Sequence, residues 1–249
     1  MKISIISLFP QMFTGPMDTS ILKRANVAGK LTIEYVNIRD FARDRYKSVD
    51  DHPYGGGIGM VLRVDVVDRA IQSALSSSGL TRGSVSSPKT STDSRMHEND
   101  IRRKTILLDP QGTPYTQKKA RELSKLDHLI LVCGHYEGVD ERIRDLVDEE
   151  ISIGDYILTG GEIPAMALVD SIVRLIPGVL SKTEATHAES FEQNILEYPQ
   201  YTTPRVYRGK RVPSVLLSGN HALIASWRMS QALVRTKKRR PDLLSRKRQ

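Results

Sequence analysis

The chain has 249 residues, 39% of them hydrophobic and 27% charged, with a mean hydropathy of −0.34; this excludes collagen, a coiled-coil rod and a wholly disordered chain, and no apolar run approaches the ~18 residues of a membrane helix. Its one cysteine, Cys133, excludes an internal disulfide and a multi-cysteine zinc site and fits a reducing, cytoplasmic setting. The net charge is +8, and all of it lies in residues 228–249, where nine basic residues face Asp242 alone; such an end suits a polyanion, RNA or DNA.

Residues 1–13 mimic the start of a signal peptide, but Pro10 cuts the apolar run and no small-residue cleavage site follows, so 3–9 is expected as a core strand. Residues 31–38 alternate like a second strand. A glycine-dense loop, DDHPYGGGIGM, fills 50–60, and 64–75 has helical spacing. Residues 76–104 hold eight Ser and three Thr with almost no apolar periodicity, the pattern of a mobile insertion. A strand over 105–108 then ends in Asp109-Pro110-Gln111-Gly112. A helix over 116–126 follows, which Thr116 can cap. The strand 129–133 ends in Gly134-His135-Tyr136-Glu137-Gly138, and 139–147 looks helical. Residues 151–161 (ISIGDYILTGG) read as a strand-like piece between glycines, and 164–176 as a helix stopped by Pro177-Gly178.

Strands alternating with helices through short links imply an α/β fold with a parallel sheet. Residues 181–193 are polar and read as part of an interdomain linker. From Asn220 a helix places Leu223, Ile224, Trp227 and Val234 at core spacing, with Arg228 and Arg235 on another face. The expected division is a first domain over 1–180, a linker over 181–194, and a small, mostly helical, basic domain over 195–249.

Open parallel sheets bind ligands beyond the carboxyl ends of their strands. Here DPQG, GHYEG and SIGDYILTGG all fall at strand ends, and glycine lets backbone approach a ligand closely. The loops suit a small polar cofactor. DDHPYGGGIGM lacks the Lys-Ser/Thr end of a P-loop, and its glycines do not fit G-x-G-x-x-G between strand and helix, which disfavours a nucleotide triphosphatase and an ordinary dinucleotide dehydrogenase. Cys133 lies in an apolar strand and reads as structural, and the six histidines lack metal spacing.

In order along the chain, VDDHPYGGGIGM, GHYEGVDER, SIGDYILTGGE, RLIPGVL and LLSGNH resemble the bacterial tRNA (guanine-N1)-methyltransferases of the TrmD type, in the SPOUT class. The resemblance covers nearly the whole chain. It implies a homodimer with active sites at the subunit interface, each subunit a parallel-sheet SPOUT domain with a deep trefoil knot. It implies S-adenosylmethionine as methyl donor, held by Leu108, Asp109 and Pro110, by Gly134, Tyr136, Glu137 and Gly138, and by Ser152, Ile153, Gly154, Asp155, Tyr156, Ile157, Leu158, Gly160, Gly161 and Pro164. The target implied is N1 of guanosine at position 37 of tRNA, beside the anticodon. Asp50 and the loop of Tyr54, Gly55, Gly56, Gly57, Gly59 and Met60 would face that guanine. The family's linker Asp, the general base, is replaced here by Glu189, one methylene longer; Arg174 maps to the group that stabilises O6. At 135, where relatives more often carry Arg, this chain has His. The resemblance also suggests that Mg²⁺ aids catalysis, with Glu137, Asp140, Glu141 and Asp155 as acids able to hold it, though no metal site is assigned. A different SPOUT methyltransferase, acting on ribose or ribosomal RNA, and a catalytically silent RNA-binding protein are the other readings; the carboxylate at 189 favours the guanine enzyme.

Overall fold

The computed structural model describes residues 1–77, 102–180 and 189–245. They fall into two compact units, Met1–Ser181 and Lys182–Gln249. In the first unit the elements run β1 (Lys2–Ser7), α1 (Ser20–Val27), β2 (Thr32–Asn37), the short hairpin strands β3 (Asp50–Asp51) and β4 (Val61–Leu62), α2 (Val64–Ser76), β5 (Arg103–Pro114), α3 (Gln117–Leu123), β6 (His128–Cys133), β7 (Glu149–Ser152) and α4 (Glu162–Val173). The second unit has β8 (Val206–Tyr207), β9 (Lys210–Arg211), α5 (His221–Arg239) and α6 (Asp242–Ser245).

Five strands form one sheet in the order β2-β1-β6-β5-β7, and every neighbouring pair is parallel. Helices cover both faces, which is why β6 (HLILVC) is buried at all six positions and reads as an unbroken apolar run. The strand period of two sorts the side chains into two cores. Ile3, Ile5, Ile106, Leu108, Leu129, Leu131 and Cys133 pack toward α4 residues Leu168, Val169 and Ile172. Ile6, Leu107, Ile130 and Val132 pack toward α2 residues Val66, Val67, Ala70 and Ile71. This is the α/β parallel-sheet architecture expected of a SPOUT domain.

Several expected boundaries move. The insertion assigned to 76–104 is trimmed at both ends, since Ser76 closes α2 and Arg103 opens β5; residues 78–101 lie outside the described residues. β5 does not stop at Leu108. Asp109 Oδ1 accepts from Gln111 N at 2.8 Å, folding DPQG into a bulge, after which Thr113 and Pro114 pair again with β7. The expected helix over 139–147 is a 3₁₀ turn at Glu141–Leu146, in which only Ile143 is buried. The strand-like piece 151–161 is strand only through Ser152, whose Oγ accepts from Gly154 N at 3.2 Å and turns the chain away. α4 starts at Glu162, before Pro164, because proline is tolerated in a first helical turn. It ends at Val173, and the 3₁₀-type bonds of Leu175 and Ile176 carry the turn on. Thr116 caps α3 as expected, accepting from Lys119 N at 3.3 Å.

In the second unit the expected core spacing holds in part: Ile224 and Trp227 are half-buried, with Trp227 against Tyr201, but the other two positions fail. Leu223 and Val234 are 56% and 60% exposed, while Ala232 and Thr236 are buried. The inward face of α5 is lined by small residues because the chain at 196–197 runs close against it. Leu196 N donates to Thr236 Oγ1 at 2.8 Å, and Arg235 Nη1 donates to the Glu197 carbonyl at 3.4 Å. Arg235 therefore shares the inward face, and Arg228 lies over the Tyr198 ring at 4.8 Å.

Candidate active site

Register puts the bulge of one strand beside the ends of two others. Leu108 pairs with Cys133 on β6 and with Ile151 on β7, so the bulge in β5 and the ends of β6 and β7 lie at one level of the sheet. The three segments expected to hold the donor begin there: 109–112, 134–138 and 152–161.

Close backbone contacts join them. Gly161 N donates to Gly134 O at 2.8 Å, and His135 and Gly160 form an antiparallel bridge. A Cβ on Gly161 would lie 2.7 Å from Cys133 Cα, and one on Gly112 would lie 2.5 Å from Ile151 N. Neither backbone can yield, so both positions require glycine. Tyr136 adopts φ +59 at the tip of its loop.

The glycine-rich hairpin is stitched to the same loops. Glu137 N donates to Met60 O at 3.1 Å, Leu62 N to Gly138 O at 3.1 Å and Asp140 N to Leu62 O at 3.0 Å. Gly59 sits directly against Glu137, where a Cβ would lie 2.3 Å from its Cγ. Asp50 pairs with Leu62 across the β3–β4 hairpin. The two expected groups, 50–60 and 134–138, thus meet. Around them Tyr54, Ile58, Tyr136, Tyr156 and Ile157 are exposed, a set of large apolar side chains on loops at one edge.

The charges are organised by a residue that the sequence reading passed over. The Arg144 guanidinium meets Asp109 at 3.5 Å, Glu141 at 2.9 Å and Glu150. Its only sequence signal is Glu141 three residues earlier. Asp109, expected to touch the donor, is thereby tied to the 3₁₀ turn. Glu162 was also passed over. It is 1% exposed in the first turn of α4 and accepts from Ser7 Oγ at 2.7 Å. Burial, and then the charge of Glu162, push the Cys133 thiol up, so this cysteine stays a neutral core group.

Of the acids considered for Mg²⁺, Asp140 is held by Arg142 at 2.7 Å and Glu141 by Arg144. Among the described residues no three ligating side chains converge on a metal position, so these residues do not fit a metal ion as they stand.

Arg174 is half-buried at the end of α4 in the first unit. Glu189 belongs to the second unit, also half-buried, at the start of a turn. In that turn Phe191 N donates to Ile195 O at 2.9 Å and Glu197 N to Ser190 Oγ at 3.0 Å. Phe191 and Asn194 take left-handed φ values of +78 and +56. Residues 181–188 of the expected linker lie outside the described residues. No helix among the described residues is long and apolar enough to cross a membrane.

A family model described as tRNA (Guanine-1)-methyltransferase TrmD matches residues 1–246. A protein of Carboxydothermus hydrogenoformans named tRNA (guanine-N(1)-)-methyltransferase is 52% identical over 245 residues, covering 98% of this chain and 87% of its own. Proteins of the same name from Moorella thermoacetica and Geobacillus kaustophilus are 49% and 51% identical, covering 99% and 98% of this chain and 91% of each of theirs.

Proposed function

We propose, from the premise that this chain belongs to the tRNA (guanine-1)-methyltransferase TrmD family, that it methylates guanine N1 in tRNA, at position 37, with S-adenosylmethionine as donor. The observation that carries this reading is the stitching of the glycine-rich hairpin to the loop after β6, through Met60, Leu62, Glu137, Gly138 and Asp140. It sets a loop suited to a base beside loops suited to the donor.

Bound in those loops, S-adenosylmethionine would supply an electrophilic methyl: the bond from guanine N1 to that carbon forms as the carbon–sulfur bond breaks, and the sulfonium departs as a neutral thioether. The protein's work is alignment and proton management. The glycine turns at Gly134, Gly138, Gly160 and Gly161 let the donor approach the backbone closely, with Leu108, Pro110, Ile153, Leu158 and Pro164 as apolar walls. Asp50 and residues 54–60 address the guanine, which must leave its stack to be reached. N1 carries a proton and is a poor nucleophile until that proton leaves. The Glu189 carboxylate takes it as N1 attacks. Negative charge then gathers on O6, where the planar Arg174 guanidinium stabilises it. Glu in place of Asp keeps the proton acceptor and lengthens its reach.

The basic helix α5, with Lys237, Lys238 and Arg239 in its last turn, suits the tRNA phosphates, so tRNA affinity should fall steeply with salt. The exposed Tyr156 and Ile157 support a homodimer with active sites shared between subunits. Membership of the family leads us to expect a chain threaded into a trefoil knot in the half that holds these loops. The reaction belongs in the cytoplasm, where the tRNA is.

The deciding experiment is transfer of labelled methyl from S-adenosylmethionine to two tRNA transcripts, with G or A at position 37, followed by primer extension. The reading expects label with G alone and a stop at that base. Equal label on both transcripts would point to another RNA atom, and no label with donor bound would point to a silent binder.

A further inference from the structure

We propose that Glu162 is a positioning residue that pins the loops 134–138 and 152–161 to the end of β1 and thereby sets donor affinity; this rests on the reading that the donor lies in those loops. Glu162 is 1% exposed and Ser7 fully buried. Ser7 Oγ donates to Glu162 Oε1 at 2.7 Å while accepting from Phe9 N at 2.9 Å, so one hydroxyl ties the carboxylate to the turn after β1. The other carboxylate oxygen faces the loops. It lies 3.9 Å from His135 Nδ1, beyond hydrogen-bond length. That ring nitrogen is buried with no hydrogen-bond partner among the described residues.

Gly160 is wedged against both groups. A Cβ there would lie 2.3 Å from Glu162 Oε2 and 2.6 Å from His135 Nδ1. The His135 ring is fixed in turn against Phe9, centroids 4.8 Å apart, and Tyr136, 5.0 Å. One carboxylate therefore touches β1, the loop after β6 and the end of the loop after β7. A carboxylate removed from water is costly, and an apolar residue would serve stability alone as well or better. The first turn of α4 offsets part of that cost, because a helix N-terminus favours an anion. What the acid gives that an apolar residue cannot is a directional bond to Ser7 that adds to the backbone contacts of Gly160 and Gly161 with His135 and Gly134.

The test uses the full chain with Glu162→Gln, which can still accept from Ser7 but loses the charge facing His135. Ser7→Ala, which removes one bond only, serves if the first variant does not fold. Hydrogen exchange without ligand is read first, then binding of S-adenosylmethionine by calorimetry, then turnover. The pin expects faster exchange at 134–138 and 153–161 with β6 unchanged, a donor Kd raised roughly tenfold, and kcat at saturating donor within about twofold. Folded variants with unchanged loop exchange and unchanged donor affinity would overturn it, even if their melting temperature fell. Wild-type protein that bound no donor would sink the donor reading instead, and the exchange data would still decide the pin.

Discussion

At the carboxyl edge of the sheet the chain is placed by backbone pairing, with Leu108 set against both Cys133 and Ile151, whereas the turn that carries Glu189 is braced by side chains, through Thr236 Oγ1 to Leu196 N and Ser190 Oγ to Glu197 N. The first region inherits its geometry from a sheet buried on both faces. The second adds to its own backbone bond, Phe191 N to Ile195 O, two hydroxyls and a helix face lined by Ala232 and Thr236. The proposed donor loops on the sheet edge should accordingly be insensitive to small changes in α5, and the proposed base should be sensitive to them.

The largest effect expected falls on chemistry. Glu189→Gln should bind donor and tRNA but lose about 10²–10⁴-fold in single-turnover methyl transfer; an unchanged rate would remove the turn from the active site and dissolve the contrast. Next comes the sheet itself: Ile130→Ala, at a fully buried position of β6, should cost about 2–5 kcal/mol in urea unfolding. Thr236→Val sharpens the comparison, since it keeps the shape but leaves Leu196 N without its acceptor. It should cost about 1–3 kcal/mol, lower kcat and leave donor Kd alone; a shift in donor Kd would show that the two regions are not independently built.

A pH effect should arise at the amino end of the sheet. Burial, and then the charge of Lys2, push His128 down from 6.5 to about 4, so the fold favours the neutral ring. The unfolded chain binds that proton first. Stability should therefore be full above about 6.5 and fall as pH drops toward 4, and His128→Asn should flatten that slope in urea titrations. Smallest of all, Val234→Ala on the exposed side of α5 should change stability by less than about 0.5 kcal/mol; a core-sized loss would restore the helix face first read from the sequence.

Strands β1, β2 and β6, the helices α2 and α3 and the Thr116 cap were legible because each expresses a local rule: an apolar run, an alternation, or a hydroxyl before a helix. The motifs at the strand ends were legible for the same reason, being short and contiguous. The bulge at DPQG was not, because it exists only where Thr113 meets Ile151 after the strand has already paired once. Leu223 and Val234 were misplaced in the core because hydropathy favours them, while close backbone approach favours small side chains such as Ala232 and Thr236. Ser7 and Glu162 lie 155 residues apart in sequence, and no local pattern links a serine in one strand to the first residue of a distant helix.

The backbone bonds between Met60 and Glu137, and between Leu62 and both Gly138 and Asp140, carry a thermodynamic consequence. On the proposed reading, in which donor and guanine occupy these two joined loops, whichever ligand arrives first is expected to lower the ordering cost left to the second. Linkage would make that effect reciprocal: the factor by which a bound donor tightens RNA would equal the factor by which bound RNA tightens the donor.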